Sequence, residues 1–341
     1  MKQGFEIYKV SPNETLEKIA DKFDMNADQL RSFHNLYCNE AGLLWFNSFV
    51  GIEKILVPKN FKSAAERKKE HEKYFPRNLL FDGFYHETYQ VREVFEDYGN
   101  KRLEIEYQLE LKIQKEEEDR VVYVHTENHR KNLQPADDKI SSISIACMEA
   151  INPVGFLLDK EGKLKQLAHP DLYFKRFSEK RKDIEDFHTG EIAVLLFDKF
   201  QENLKDEHYI FEKFSSTLLF QSLFFGMNWF HKNNTWLEKK ILNINSFPVE
   251  IKFQAVYEHE ESEFAKTKIS GTVAEQLDML YFLVGKRRSE EIQNPVKANY
   301  NVTYLTDKLQ KTLNSVEANI TFFVDDRQYS SHTLHISSEI N

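Results

Sequence analysis

The chain is poor in the residues that define several common classes of protein. Its 341 residues include two cysteines, Cys38 and Cys147, which are too few for a disulfide scaffold or a cysteine-rich zinc site. Glycine (11 residues) and proline (8 residues) are scarce, which excludes collagen-like and low-complexity chains. The 46 basic residues are outnumbered by 55 acidic ones, and the net charge of −9 disfavours a general nucleic-acid-binding protein, because such a protein needs a basic surface.

Long apolar runs are scarce as well. The first ten residues lack the apolar stretch of a secretory signal peptide. The longest uncharged stretch, residues 214–230, contains serine, glutamine and asparagine, so we expect a buried core element and not a membrane-spanning helix. These features predict a cytoplasmic protein without a transmembrane segment, or one exported by machinery that does not recognise a cleavable leader.

The residues that are abundant predict a folded protein with more than one domain. Hydrophobic residues make up 41% of the chain and aromatic residues 13%, which is too apolar for a disordered protein although 30% is charged. The pattern divides into a small module at residues 1–60, a charged linker helix at residues 61–77 and a large domain at residues 78–341.

The first sixty residues have the pattern of a βααβ module. Residues 5–10 alternate as a strand does, and Asn13 is placed to cap a helix with apolar positions at i, i+3, i+4 and i+7. Asn26 is placed to cap a second helix. Residues 55–57 then predict a second strand that ends at Pro58.

The order and spacing of these residues resemble a LysM domain over residues 5–59. The positions that carry the resemblance are Tyr8, Lys9, Val10, Asn13, Glu14, Thr15, Leu16, Ile19, Ala20, Phe23, Leu30, Asn35, Leu36, Gly51, Ile55, Leu56, Val57 and Pro58. The resemblance implies a fold that commonly binds polymers of N-acetylglucosamine (GlcNAc), such as peptidoglycan. In the family the glycan lies in a shallow groove between the loop after the first strand and the loop before the second, here residues 11–15 and 35–51.

Two departures from the family pattern fall in this groove. Asn13 and Glu14 replace the Gly-Asp of the first loop, and the second loop is longer and carries many large apolar residues. Trp45 or Phe46 could supply an aromatic ring that stacks on a sugar. A cluster this apolar is also typical of a protein interface, and protein docking is favoured over sugar contact on that ground. The candidate contact residues for either partner are Asn13, Glu14, Thr15, Asn35, Leu44, Trp45, Phe46 and Phe49.

Period-two alternation dominates the start of the large domain. Strands are predicted across residues 83–167, most clearly at 103–113, where apolar residues occupy the odd positions. The apolar run at residues 140–148 is included among these strands.

A helical interval separates these strands from a second group. Helices are predicted at residues 170–203, where Ile192, Leu195 and Leu196 have helical spacing, and strands resume across residues 239–336. The layout predicts an α+β fold in which both strand groups form one curved antiparallel sheet, or an open barrel, covered by the central helices. Whether such a sheet closes or holds an apolar ligand stays open.

Recognisable catalytic and metal-binding motifs do not occur in the sequence. His125 and His129 lack the glutamate that a zincin needs after its first histidine, and they are predicted to straddle the end of a strand. His332 and His335 lie three apart on a predicted strand and so point to opposite faces. No nucleophile elbow and no phosphate-binding glycine loop is found. We therefore expect no metal or other cofactor, and a non-catalytic protein is favoured over an enzyme.

Three hypotheses for function remain. The favoured one is an adaptor, since LysM-like modules occur in contractile injection machines and a cytoplasmic protein does not reach peptidoglycan. It would load effectors or associate with the tail or baseplate of a type VI-like secretion system, with a spike, tube or effector protein as partner. The alternatives are a protein that binds a GlcNAc-containing glycan, and a wall-targeting toxin or hydrolase with an unrecognised site.

Overall fold

The chain forms two compact units, Met1–Tyr74 and Phe75–Asn341. The computed structural model describes residues 5–23, 25–49, 51–59, 64–116, 119–232, 235–243, 246–259, 262–275, 277–278 and 295–338. This division assigns the charged helix to the first unit.

The first unit has the βααβ order that the sequence predicts. Its elements are β1 (Phe5–Lys9), α1 (Leu16–Lys22), α2 (Ala27–Tyr37), a 3-10 turn (Glu40–Gly42), β2 (Lys54–Pro58) and α3 (Ala64–Tyr74). The two strands pair antiparallel, with Phe5 opposite Pro58 and Lys9 opposite Lys54. Apolar residues of α1, α2 and β2, together with one loop residue, form its core: Leu16, Ile19, Ala20, Leu30, Leu44, Ile55 and Val57.

The caps of the two short helices differ in how well the sequence predicted them. Asn26 caps α2 through a reciprocal capping box with Gln29, as expected. The prediction that Asn13 caps α1 is wrong, because Thr15 is the N-cap and its hydroxyl accepts a hydrogen bond from the backbone N–H of Lys18 at 3.3 Å. The helix therefore starts later, and Asn13 stays in the exposed loop.

The second unit is built around a large antiparallel sheet. Its strands are β3 (Thr88–Asp97), β4 (Asn100–Glu116), β5 (Asp119–Lys131), β6 (Gln134–Pro135), β7 (Val154–Leu158), β8 (Leu164–Leu167), β9 (Trp236–Lys240), β10 (Val249–Glu258), β11 (Phe264–Val273), β12 (Leu277–Asp278), β13 (Pro295–Asp307), β14 (Leu313–Val324) and β15 (Arg327–Ser338). Its helices are α4 (Lys139–Ile151), α5 (Pro170–Phe187), α6 (Glu191–Asn203), α7 (Glu207–Ser215) and α8 (Leu218–Leu223), followed by a 3-10 turn (Met227–His231).

The sheet consists of two groups of antiparallel strands, which are joined where β3, the first strand of the unit, pairs with β15, the last. The strand order is β8-β7-β5-β4-β3-β15-β14-β13-β11-β10-β9, with β6 beside β5 and β12 beside β13. In the join, His332 of β15 lies opposite Phe95 of β3, and Ile336 lies opposite Val91. Within the described residues β8 and β9 are the two ends of this order, so the predicted antiparallel sheet of an α+β fold is confirmed in its open form.

The prediction of a strand at residues 140–148 is wrong, because this segment is helix α4. Ile143, Cys147 and Ile151 are buried at four-residue spacing, which is the period of a helix face. The carboxylate of Asp138 caps the helix by accepting from the backbone N–H of Ser141 at 3.1 Å. Apolar residues that run without a break are compatible with either element, and here the cap and the packing on the sheet decide.

The central helices extend further than predicted and bury a different face. The predicted interval ends at residue 203, whereas α7 and α8 continue it to Leu223. In α6 the buried residues are Ala193 and Phe197, while Ile192 and Leu195 are exposed. The sequence spacing therefore identified the helix correctly without identifying its inner face.

An aromatic cluster fills the space between α8, the 3-10 turn that follows it and the sheet. Phe225, Trp229 and Phe230 are almost completely buried, as expected for residues 214–230. The ring centroids of Phe225 and Tyr304, on β13, are 4.2 Å apart. Those of Trp229 and Phe253, on β10, are 5.3 Å apart. Within the described residues, none of the helices combines the length and apolar composition needed to cross a membrane.

Replacement of Phe225 by alanine should destabilise the second unit by about 4 kcal/mol, because a buried phenylalanine leaves a cavity that close neighbours cannot fill. Urea denaturation followed by far-UV circular dichroism measures the change. Leu309→Ala is the matched control, since Leu309 is exposed. Equal stability of the two variants would contradict the packing described for the second unit.

Candidate functional site

The two loops that should flank a LysM groove emerge from the same end of the small sheet. Lys9, at the end of β1, pairs with Lys54, at the start of β2. The pairing continues for one more step, since the backbone N–H of Val10 donates to the carbonyl of Glu53 at 2.9 Å. The loop after β1 and the loop before β2 therefore lie side by side at this end.

The first loop is organised around the carboxylate of Glu14. This carboxylate accepts hydrogen bonds from the hydroxyl of Tyr8 at 2.8 Å and from the backbone N–H of Ser11 at 2.9 Å. It also forms an ion pair with Lys22 of α1. Glu14 is thus committed to contacts inside the module, and it holds the loop in place more than it offers an acceptor to a ligand.

These contacts shift the titration of Glu14. The hydrogen bond from Lys22, followed by those from Ser11 and Tyr8, lowers the pKa of Glu14 to about 2. The ionised form is favoured because all three partners donate to it. At neutral pH the carboxylate of Glu14 is therefore ionised, and its contacts hold the loop in place.

The second loop is fixed to α2 by the side chains of two adjacent residues. His34 is buried, its Nε2 lies 2.7 Å from the carbonyl oxygen of Gly42, and its Nδ1 accepts from the backbone N–H of Leu56 at 2.9 Å. The amide of Asn35 accepts from the backbone N–H of Leu44 and donates to its carbonyl, both at 2.9 Å. The two side chains therefore connect α2 to the backbone of the second loop and of β2.

The fixed loop separates its apolar residues into an inner and an outer group. Leu44 is 3% exposed and lies in the core of the module, and Phe49 packs against that core. Trp45 is 76% exposed and Phe46 is 75% exposed. Of the predicted contact residues in this loop, Trp45 and Phe46 therefore present their rings to solvent, whereas Leu44 has no surface left for a ligand.

The predicted polar contact residues have different roles. Asn13 and Thr15 are exposed on the first loop, and Thr15 is also the helix cap. Asn35 acts on the loop backbone through its amide. Sequence reasoning did not identify His34, and its position in α2 gave no signal, because its two backbone partners, at Gly42 and Leu56, come from distant parts of the chain.

The structure places the histidine pairs of the second unit on strands β5 and β15. His125 and His129 both lie within β5, so the prediction that they straddle the end of a strand is wrong. Nε2 of His332 lies 2.7 Å from a carboxylate oxygen of Glu93, and His335 lies on the opposite side of β15. Across the part of the chain that the structure describes, no group of three metal-binding side chains is found. Burial raises the pKa of Cys147 to about 11, which makes its thiol unreactive.

The geometry defines a small βααβ module whose two adjacent loops carry exposed polar and aromatic side chains. The family model of the LysM domain matches residues 8–43. The match confirms the resemblance and supports, for this module, binding of glycans that contain GlcNAc, such as peptidoglycan. No match is found among curated proteins.

The titration of Glu14 predicts how the stability of the module depends on pH. A carboxylate whose pKa is lowered by folding stabilises the fold above its unfolded pKa, about 4.5, and this contribution is lost as the pH falls toward about 2. The stability difference between the wild type and Glu14→Gln should therefore shrink between these pH values. Urea denaturation, followed through the NMR signals of Ile19 and Leu30, measures it.

Glu17→Gln is the control for this experiment, because Glu17 is exposed in the first turn of α1 and is not part of the loop. A pH-independent difference between the wild type and Glu14→Gln would show that the contacts of Glu14 do not stabilise the loop.

Proposed function

We propose that the N-terminal module binds a GlcNAc-containing glycan through the two loops at the end of its small sheet. Trp45 and Phe46 stack on the sugar rings, and Asn13 and Thr15 form the opposite side of the groove. The observation that carries the proposal is the exposure of two adjacent aromatic rings, at 76% and 75%, on a loop fixed by hydrogen bonds.

Exposed aromatic rings have a physical cost that binding can offset. Each ring leaves a large apolar surface in water, and sugars present apolar C–H faces that can cover it. A loop held by His34 and Asn35 loses little conformational entropy when the ligand binds, which increases affinity. The family match ends at residue 43, so contact through Trp45 and Phe46 would be a feature of this chain's longer loop.

Removal of both rings should weaken glycan binding at least tenfold, or about 1.4 kcal/mol in binding free energy. The experiment compares wild type and the double variant Trp45→Ala, Phe46→Ala by isothermal titration with chitotetraose and by pull-down on purified peptidoglycan. Ile7→Ala is the matched control, because Ile7 is an exposed apolar residue on β1 of the same module, outside both loops. Full binding after loss of Trp45, Phe46 and the Thr15 hydroxyl together would exclude this groove.

A second candidate function is the adaptor of a contractile, type VI-like secretion system. The same two rings support it, since exposed tryptophan is enriched among the residues that dominate protein interfaces. In this proposal the protein resides in the cytoplasm, or leaves the cell through a leaderless route, and its partner is a spike, tube or effector protein. It acts without catalysis.

Co-purification of the tagged full chain from its native cells tests the adaptor proposal. A spike, tube or effector protein should accompany the wild type and be lost from the Trp45→Ala, Phe46→Ala variant. Recovery of the chain without such a partner counts against the adaptor, whatever the outcome of the glycan titration.

A further inference from the structure

The second unit has a polar surface on the face of β4 that is opposite to its buried residues. Along β4, Leu109 and Leu111 are buried toward the core, whereas Glu110, Lys112 and Gln114 alternate with them on the other face. A cavity of about 720 Å³ opens there, and this volume lies within the range of small-ligand pockets. Residues from three strands and from adjacent loops line it: Glu87, Thr88, Glu110, Leu111, Lys112, Gln114, Tyr123, His125 and Pro153.

The aromatic ring of Tyr123 is held in a fixed orientation in this cavity. Tyr123 pairs directly with Gly155 of β7, where an added Cβ would lie 2.9 Å from the ring. The ring therefore packs against the backbone of Gly155, where a side chain would clash with it. Its hydroxyl donates to the carboxylate of Glu116 at 2.5 Å, and the other oxygen of Glu116 lies 2.9 Å from Nε2 of His169.

The titration of these groups keeps the arrangement intact at neutral pH. Burial and the neighbouring Glu116 raise the pKa of Tyr123 to about 12, so its hydroxyl stays protonated and donates. The hydrogen bonds from Tyr123 and His169 lower the pKa of Glu116, so its carboxylate stays ionised and accepts. A rigid, half-buried ring that lines a cavity offers a surface for stacking.

Side chains with both donors and acceptors surround the ring. Lys112 is directly opposite Tyr123 in the register of β4 and β5, and Glu110 is directly opposite His125 one step along. Thr88 continues this second row on β3. Together the two rows contain both signs of charge, at Lys112 and Glu110, whereas a phosphate-rich ligand needs a basic surface.

The polar surface continues beyond the cavity. A second concavity of about 550 Å³ lies on the same three strands and β15, and its lining includes Gln108 and Arg130. Gln108 comes two residues before Glu110 on this face of β4, so the two concavities are neighbours on the sheet, and together they are called the groove. A ligand longer than one ring would fit along it.

We propose that this groove is a second binding site, for a neutral oligosaccharide. The ring of Tyr123 stacks on the C–H face of one sugar, and Glu110, Lys112 and His125 exchange hydrogen bonds with its hydroxyls. An extended peptide suits the groove less well. Peptides that bind sheets pair with an edge strand, and β3, β4 and β5 each have partners on both sides. The site does not depend on the LysM module.

The test uses the full chain that carries Trp45→Ala and Phe46→Ala, so that the first unit cannot supply the aromatic contacts. Saturation-transfer NMR and isothermal titration with chitotetraose, cellotetraose and maltotetraose should detect binding of at least one of these sugars. Tyr123→Ala should weaken that binding at least tenfold, and Tyr123→Phe should keep it within about threefold, because the ring still lies on Gly155.

Three more variants control for loss of folding. Gly155→Ala displaces the ring without removing it and should also weaken binding about tenfold, whereas Tyr98→Ala removes an exposed tyrosine outside the groove and should not. Glu110 lies on the exposed surface, so Glu110→Gln should weaken binding without unfolding the protein. Absence of binding by all three sugars, unchanged binding in Tyr123→Ala and Glu110→Gln, or binding of an extended polar peptide in their place would overturn the proposal.

Discussion

The hydrogen bonds from His34 and Asn35 to the loop that follows α2 are the constraint on which the candidate site depends. They form hydrogen bonds with backbone groups at Gly42, Leu44 and Leu56. Because Leu44 is thereby drawn into the core, the next two residues are directed outward. A loop without these anchors could turn its apolar side chains inward, and the exposed rings of Trp45 and Phe46 would be lost.

The second unit combines a rigid framework with a polar face that the core does not need. Helices α4 to α8 bury one face of the sheet, and the pairing of β3 with β15 joins its two halves. The opposite face is therefore free to carry side chains with other roles. Tyr123 is notable there because Gly155, Glu116 and His169 together fix its ring. A chain with one binding surface in each unit could hold a polymeric ligand at two points, with a gain in apparent affinity that depends on the linker.

Local patterns in the sequence were enough to predict the βααβ module and most strands of the sheet. Alternation at residues 103–113 and the boundaries of α5 and α6 are set by periods that a single segment reveals. The failures have different causes, since the cap of α1 is a local contact between Thr15 and Lys18, whereas the inner face of α6 is decided by packing against distant segments. Residues 140–148 form a helix because Asp138 caps it and the sheet covers Ile143 and Cys147.

The candidate sites show the same division. The aromatic residues of the long loop could be identified from the sequence, but the distinction between buried Leu44 and exposed Trp45 could not, because it depends on Asn35. The groove at Tyr123 was missed entirely, since Gly155 approaches Tyr123, and His169 approaches Glu116, only in the folded sheet. Fold class is therefore accessible from periodicity, whereas a binding surface requires knowledge of side-chain anchors.

The most direct measurement follows the three tryptophan indole signals in the NMR spectrum of the full chain as chitotetraose is added. Trp229 and Trp236 both donate to Glu238 in the second unit, so their signals provide internal references. Binding by the N-terminal module predicts a saturable shift of the Trp45 signal, together with backbone shifts in residues 11–15. The account would be contradicted if the Trp45 signal did not move while the sugar bound to the protein. It would also be contradicted if the signal did not move at millimolar concentrations of sugar.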